Sequence, residues 1–145
     1  MVNKVKSMIT FHIEQTPFRL ANRRGLRAWL KQVAADEGKT PGDIACVFCS
    51  DDYLLSVNKT YLHHDYLTDV ITFDYSWFPV IAGDLLISVD TVRANAQKYG
   101  VPFEEELRRV MVHGVLHLCG YRDATKAEAA AMHKREDLHL AKMAT

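Results

Sequence analysis

Two histidines four residues apart lie in the segment from Glu106 to Leu118, which reads ELRRVMVHGVLHL. Apolar side chains recur there with the period of an α-helix, so His113 and His117 are predicted on one helix face. Burying both imidazoles without partners would cost ~1–3 kcal/mol for each unmet polar group. A pair at this spacing can direct both rings at one metal ion, and the pattern favours that chemistry over two histidines in the core.

A third ligand is expected just past this helix, because Gly120 can end it and let the chain turn back. Asp123 is the first residue beyond that point with ligand chemistry. Two imidazole nitrogens and one carboxylate oxygen would leave one position of a tetrahedral ion open for water, as a catalytic zinc requires. The alternative for Asp123 is the N-cap of the next helix.

Gly114 follows His113 at the position where peptidases with the HExxH motif carry a glutamate as general base. The sequence therefore disfavours a routine peptidase. No side chain is assigned as the base, and metal-bound water would carry the reaction. Glycine here would also let a backbone segment or a substrate approach the site closely.

The rest of the sequence predicts the elements that must position these residues. Strands are expected at 8–13, 44–49, 70–73 and 82–88, and helices at 18–37, 52–61, 89–99, 102–118 and 125–143. A turn is expected at 40–43 and a loop at 74–81. This order indicates the α+β class: one domain over residues 1–145, with a small mixed sheet of about four strands, about five helices and a zincin-like metal helix.

The composition sets limits on the function. The chain has 145 residues, with 18 basic and 18 acidic side chains, so its formal net charge is zero. No apolar run approaches the ~20 residues of a membrane span, and no membrane partner is expected. Three cysteines, an odd number, fit a reducing cytoplasm better than a disulfide framework. Neutrality counts at first sight against a nucleic-acid partner, since such domains are usually basic.

Three motifs together resemble one known family. HGVLHLCGYRD, residues 113–123, is similar to the HGxLHLxGYDH signature of the YbeY proteins, which are bacterial endoribonucleases and ribosomal RNA maturation factors. VNKTYLHHDYLTDVITF, residues 57–73, resembles their LNxxYRxxDxxTDVLSF segment. AGDLLIS, residues 82–88, resembles their GDIxIS strand. The likeness covers residues 51–145, whereas the first fifty residues agree only in the order of elements.

The resemblance implies a mixed α+β fold and one divalent metal, with zinc as the expected ion, held by His113 and His117. It also implies a cytoplasmic enzyme whose partners are ribosomal RNA and the small ribosomal subunit, with no DNA expected. Two positions depart from the family pattern. Asp123 stands where the family has its third histidine, which leaves the metal's identity open, and Leu62 stands where the family has an arginine suited to phosphate.

Basic side chains repeat every four residues along the first long helix, at Arg23, Arg27 and Lys31. This ridge could contact an RNA backbone. A solvated helix face explains the same pattern equally well, because cations opposite an apolar face are normal.

Other residues with chemical potential are expected to be structural. Cys46 and Cys49 form a C-x-x-C, but the period of a strand sends their sulfurs to opposite faces. Cys119 is expected to be a small buried apolar residue. His133 and His139 are expected on the surface of the last helix, paired with neighbouring acids.

The leading hypothesis is therefore a metal-dependent endoribonuclease acting on single-stranded RNA. It would take part in 3′-end maturation of small-subunit ribosomal RNA and in ribosome quality control. One alternative is a ribosome-associated binding factor whose metal is structural, which four protein ligands would favour. Another is a small-molecule metallohydrolase, which a deep, neutral pocket would favour.

Overall fold

The computed structural model describes residues 7–64 and 66–143, which contain four strands and five helices. The α+β fold with a small mixed sheet is confirmed. In chain order the elements are β1 (Ile9–Glu14), α1 (Arg23–Asp36), β2 (Thr40–Cys49), α2 (Asp51–Leu62), β3 (Val70–Asp74), β4 (Val80–Ser88), α3 (Val89–Tyr99), α4 (Phe103–Leu118) and α5 (Lys126–Lys142).

The sheet has the strand order β1-β2-β4-β3. Strand β2 pairs in parallel with β1 and with β4, whereas β3 pairs antiparallel with β4. The outer strands are therefore β1 on one side and β3 on the other. They lie three strand spacings apart, or roughly 14 Å. This separation matters for the candidate site, which lies at the β3 edge.

Side chains alternate between two apolar layers, one on each face of the sheet. Cys46 belongs to the larger core, which includes buried residues of α1, α3 and α4, and Cys49 belongs to the smaller one beneath Leu54 of α2. The prediction that the two sulfurs face opposite ways is confirmed. Burial raises the pKa of each thiol to about 12, so neither is a thiolate at neutral pH. Cys119 is buried in the larger core, as predicted.

Helix α1 begins at Arg23, five residues after the predicted start. Asn22 adopts a left-handed conformation (φ 58°), and its side chain accepts a hydrogen bond from Gly25 N at 3.2 Å, which caps the helix. Before the cap, Leu20 is buried and the Phe18 ring lies 5.4 Å from that of Phe48. This segment docks on the core in a non-helical form, which the apolar periodicity could not distinguish from a first helical turn.

The predicted turn at 40–43 is wrong, because these residues open strand β2. Thr40 and Pro41 pair with Val80 and Ile81 of β4, with an irregularity in register before Ile44. A β-carbon on Gly42 would lie 2.9 Å from the carbonyl oxygen of Ile81. The glycine therefore permits close approach of two strands at an irregularity, a role that the sequence does not distinguish from a turn. The predicted loop at 74–81 is shorter than expected, because β3 reaches Asp74 and β4 begins at Val80.

Candidate metal centre

Helix α4 carries both histidines and is buried on most of its circumference. Three glutamates occupy its first turn, where the helix dipole favours negative charge. The helix lies against β3, β4 and the helices α1, α3 and α5. His113 and His117 are half-buried near the β3 edge, and their ring centroids are 4.6 Å apart.

Gly114 brings α4 close to the sheet. A β-carbon at this position would lie 2.9 Å from both methyl carbons of Leu85 in β4. The close approach expected at Gly114 therefore involves a core leucine, and it places the helix, with its two histidines, tightly on the sheet.

Replacing Gly114 by alanine is expected to lower the free energy of unfolding by ~1–3 kcal/mol, because the added methyl overpacks the contact with Leu85. Urea unfolding followed by circular dichroism measures this. Unchanged stability would contradict the packing described here.

The outer nitrogen of each imidazole has a hydrogen-bond acceptor. His113 Nδ1 lies 2.6 Å from Glu136 Oε2, and His117 Nδ1 lies 3.0 Å from the carbonyl oxygen of Tyr121. Each Nδ1 therefore donates its proton outward. In the neutral form, each Nε2 is left with a lone pair, which is the arrangement of metal-binding histidines.

Three acceptor atoms converge on one point. His113 Nε2 lies 3.0 Å from His117 Nε2, and Asp123 Oδ2 lies 3.3 Å and 3.4 Å from these two nitrogens. Ligands about 2.0–2.1 Å from a tetrahedral zinc ion are ~3.3 Å apart, so the spacing fits one ion. Together the residues form a group that could hold a metal ion. With both imidazoles neutral, no proton lies between the three atoms, and a cation bound by all three would accept their lone pairs.

Asp123 reaches the histidines because the chain reverses sharply after α4. Gly120 has φ +104°, a conformation that favours glycine, and Tyr121 N bonds back to Leu116 O at 3.0 Å. The alternative of Asp123 as an N-cap is wrong. Thr125 caps α5 and forms a capping box with Glu128.

Sequence reasoning missed Glu136, which supports the site from α5. Its buried carboxylate accepts from Arg109 Nη1 at 3.0 Å as well as from His113. Burial opposes protonation of His113, but the hydrogen bond and charge of Glu136 outweigh it, so the pKa of His113 is raised. In the sequence, Glu136 is only one of the acids next to His133 and His139 on the last helix, and no motif links it to a histidine 23 residues earlier.

Replacing Glu136 by glutamine is expected to weaken metal binding by ~10- to 100-fold, because the carboxylate fixes the His113 ring and raises its basicity. Competition with a fluorescent zinc chelator measures the affinity. Asp137→Asn is a suitable control, since Asp137 also pairs with Arg109 but does not touch a ligand in the part of the chain described. Equal affinities for both variants would contradict the role of Glu136.

The ligands line an open groove of about 460 Å³ beside β3. The other lining residues are Thr68, Asp69, Val70, Thr72 and Asp74. With Asp123, three aspartates face the groove, and none of its described lining residues is a lysine or arginine. This groove is therefore open and acidic. His113 and Asp123 also line a second cavity of about 600 Å³ on the side of α5, which includes Arg109 and Met132.

The predicted basic ridge lies at the opposite edge of the sheet. Arg27 Nε donates to the carbonyl oxygen of Ile9 at 2.8 Å, and Arg23 Nη1 donates to that of Phe11 at 3.4 Å. Both guanidinium groups thus satisfy carbonyls of the edge strand β1, while Lys31 is half-buried further along α1. Their role in RNA binding stays a prediction.

The two histidines predicted on the surface of α5 differ in their exposure to solvent. His133 is exposed, as expected, and lies 3.6 Å from Asp137. The prediction for His139 is wrong, because it is fully buried and its Nε2 lies 2.6 Å from Glu37 Oε2. The low amphipathicity of α5 hid this inward face, where the backbone carbonyl of His139 accepts a hydrogen bond from Trp29 of α1.

Comparison with known proteins identifies the family. A family model described as Endoribonuclease YbeY matches residues 8–144. The chain belongs to the YbeY family. The resemblance indicated by the three motifs is confirmed, and the prediction of an endoribonuclease is confirmed at the level of the family.

Curated YbeY relatives align over nearly their whole length. The Endoribonuclease YbeY of Flavobacterium psychrophilum is 48% identical over 130 residues, which cover 90% of this chain and 92% of that protein. The one from Phocaeicola vulgatus is 47% identical over 134 residues, covering 92% and 97%. Alignments of 130 and 134 residues out of 145 must extend over most of the first fifty residues, where the three motifs carry no likeness.

The fold is similar to the solution structure of TM1509 from Thermotoga maritima, with a TM-score of 0.62 at 22% identity. The match covers 92% of this chain and 88% of that one, and it supports the fold alone. Among the described residues, no helix has both the length and the apolar character needed to cross a membrane.

Proposed function

We propose that this chain is a metal-dependent endoribonuclease that cleaves single-stranded RNA in the maturation of small-subunit ribosomal RNA. One observation carries the proposal: three acceptor atoms spaced 3.0–3.4 Å apart face an open groove, in a member of a family whose relatives are named endoribonucleases. Its expected setting is the cytoplasm, where it would act with the ribosome in processing and quality control.

His113, His117 and Asp123 would hold one divalent ion, for which zinc is the expected metal. When bound, such an ion supplies an activated water and a positive charge for the scissile phosphate. The carboxylate in place of a third imidazole removes one unit of positive charge from the site. A harder ion such as manganese is therefore better tolerated here than in an all-histidine site.

The protein's own contribution is to orient and support the ligands. Glu136 holds His113, and the carbonyl oxygen of Tyr121 holds His117, so both lone pairs point into the groove. The three ligands leave the groove side of the site open for a phosphodiester. This supports a catalytic role over a purely structural metal, for which a closed set of four ligands is typical.

The acidic groove requires another source of RNA affinity. Asp69 and Asp74 would repel phosphate, and a divalent ion held by the three ligands would offset only part of the negative charge of the groove. Arg23, Arg27 and Lys31 remain the proposed contacts to more distant parts of the RNA backbone. Because they lie beside the opposite edge of the sheet, only a substrate long enough to span the sheet reaches both places.

Cleavage of a circular RNA tests the proposed function. A circle has no ends, so only an endonuclease can linearise it. We expect the purified protein loaded with zinc or manganese to linearise a single-stranded circle and to leave a fully paired duplex intact. Loss of cleavage in chelator and its return with added metal would support metal dependence. An intact circle beside a degraded linear RNA would contradict the proposal.

A further inference from the structure

The hairpin between β3 and β4 exposes three aromatic side chains close together in sequence. Tyr75, Trp77 and Phe78 are 58%, 67% and 57% exposed. In contrast, the other tryptophan, Trp29, is 6% exposed, and its indole donates to His139 O at 2.9 Å. Grouped exposed aromatics of this kind typically mark an interaction site. We call these three residues the aromatic hairpin.

The backbone of the aromatic hairpin is held firmly although its rings face solvent. Trp77 and Val80 exchange two backbone hydrogen bonds of 3.0 Å, and Thr40 N donates to Pro79 O at 2.7 Å. The Ser76 hydroxyl bonds both the carbonyl oxygen and the amide of Ala82. The rings therefore stand on a fixed support, which lowers the entropic cost of binding a partner.

The aromatic hairpin borders the candidate metal centre. Asp74, at the end of β3, lines the groove with the ligands. The next residue, Tyr75, points to the opposite face of the sheet, where its hydroxyl donates to Asp84 Oδ2 at 3.3 Å. Trp77 and Phe78 are therefore the members nearest the centre. On the other side, a β-carbon on Gly120 would lie 3.4 Å from Cζ of Phe78. Gly120 lies between the ligands His117 and Asp123 in the chain, so the Phe78 ring touches the turn that carries the third ligand.

Charge in this region argues against recognition of RNA through phosphate alone. The groove presents three aspartates and no lysine or arginine among its described lining residues. At the hairpin, the ammonium of Lys39 lies 4.2 Å from the centroid of the Phe78 ring. Base faces carry no net charge, and their stacking on aromatic side chains contributes about 5- to 150-fold in affinity per base.

We propose that the aromatic hairpin, through Trp77 and Phe78, binds unstacked bases of single-stranded RNA next to the phosphodiester at the metal centre. This inference rests on the proposed function and names what the site recognises. In a duplex, both faces of each base are covered by its neighbours, so paired RNA offers no face for these rings. The aromatic hairpin thereby selects single strands, and Lys39 is placed to meet an adjacent phosphate.

Tryptophan fluorescence tests the proposal without requiring cleavage. The metal-free protein is titrated with a short single-stranded oligouridylate, and with a ribose-phosphate oligomer of the same length that lacks bases. We expect the oligouridylate to quench the emission of exposed Trp77 and the abasic oligomer to bind more weakly without quenching. Equal binding of both oligomers, or no quenching by any RNA, would overturn the proposal; the latter would indicate a protein-docking surface.

Variants separate stacking from simple exposure of apolar surface. By fluorescence anisotropy of labelled RNA, Trp77→Ala is expected to lose about 5- to 150-fold in affinity, and Trp77→Phe less, because it keeps a ring. Leu138→Ala, which removes an exposed apolar side chain from α5, is the control with unchanged affinity. Unchanged affinity in Trp77→Ala with a native circular dichroism spectrum would overturn the proposal. The circular-RNA result for the wild-type protein would still decide the proposed function.

Discussion

Replacing His113 by alanine is expected to abolish metal binding and to reduce RNA cleavage by roughly 10³-fold or more, the scale of losing an essential catalytic group. The imidazole supplies one of the three converging acceptor atoms. Its loss leaves two ligands, and it removes the partner of Glu136 Oε2 in a buried carboxylate that keeps its hydrogen bond from Arg109. Metal content by elemental analysis and cleavage of single-stranded RNA measure the two effects on the same preparation.

His12→Ala is the matched control, because His12 is an exposed histidine on β1 that bonds only Thr10 within the described residues. It should keep wild-type metal content and activity. The His113 variant must also show a native circular dichroism spectrum, since loss of folding would mimic loss of metal. A folded, metal-free His113→Ala protein that cleaves RNA at the wild-type rate would contradict the proposed site.

Replacing Glu37 by alanine is expected to lower the free energy of unfolding by ~3 kcal/mol. The Glu37 side chain is only 5% exposed and accepts hydrogen bonds from Tyr121 Oη (2.6 Å) and Arg135 Nε (3.1 Å). It also pairs with the fully buried His139. Its removal leaves these donors unmet between α1, α5 and the turn after α4. Urea unfolding measures the loss, and a decrease below about 0.5 kcal/mol, the range of ordinary surface changes, would contradict it.

The same carboxylate should make stability fall at acid pH. Burial opposes ionisation of Glu37, but its hydrogen bonds from Tyr121, Arg135 and His139 outweigh burial and lower its pKa below the ordinary 4.5. The folded protein therefore gains stability from ionised Glu37 above about pH 4.5, and loses it as the pH falls through the lowered value. Unfolding of Glu37→Gln should depend less on pH in this range than unfolding of the exposed control Glu14→Gln. Parallel curves would contradict the pKa shift.

Much of the fold was predictable because its signals are local. The apolar period of α4, the glycine after it and the apolar run of β4 each follow from neighbouring residues. The segment before Arg23 was not predictable in this way. Whether Phe18 and Leu20 extend a helix or dock as a separate segment depends on packing against Phe48, which lies thirty residues later.

The candidate site likewise contains residues that were predictable from the sequence and residues that were not. His113, His117 and Asp123 are separated by four and six residues, so helix geometry and one turn bring them together. Glu136 bonds His113, 23 residues away, and Glu37 bonds Tyr121, more than 80 residues away. In the sequence, neither glutamate differs from the other acidic residues. The partners that orient the ligands therefore became evident only in the folded chain.

The zero net charge also has a clearer meaning in the structure. Acidic groups gather at the metal groove, while Arg23 and Arg27 lie at the far edge of the sheet. Balanced totals thus conceal an uneven distribution. RNA binding at the groove should depend on bases and on the metal ion more than on surface cations, and therefore only weakly on salt concentration.

The most direct measurement is a metal titration of activity. Protein stripped of metal is titrated with zinc, and in parallel with manganese, while cleavage of single-stranded RNA is followed at each step. Cleavage should be absent without metal, rise with added ion and saturate at one ion per chain, with no rise in the His113→Ala variant. Full cleavage by the stripped protein, or activation of the variant to the wild-type level, would contradict the metal centre proposed for these three residues.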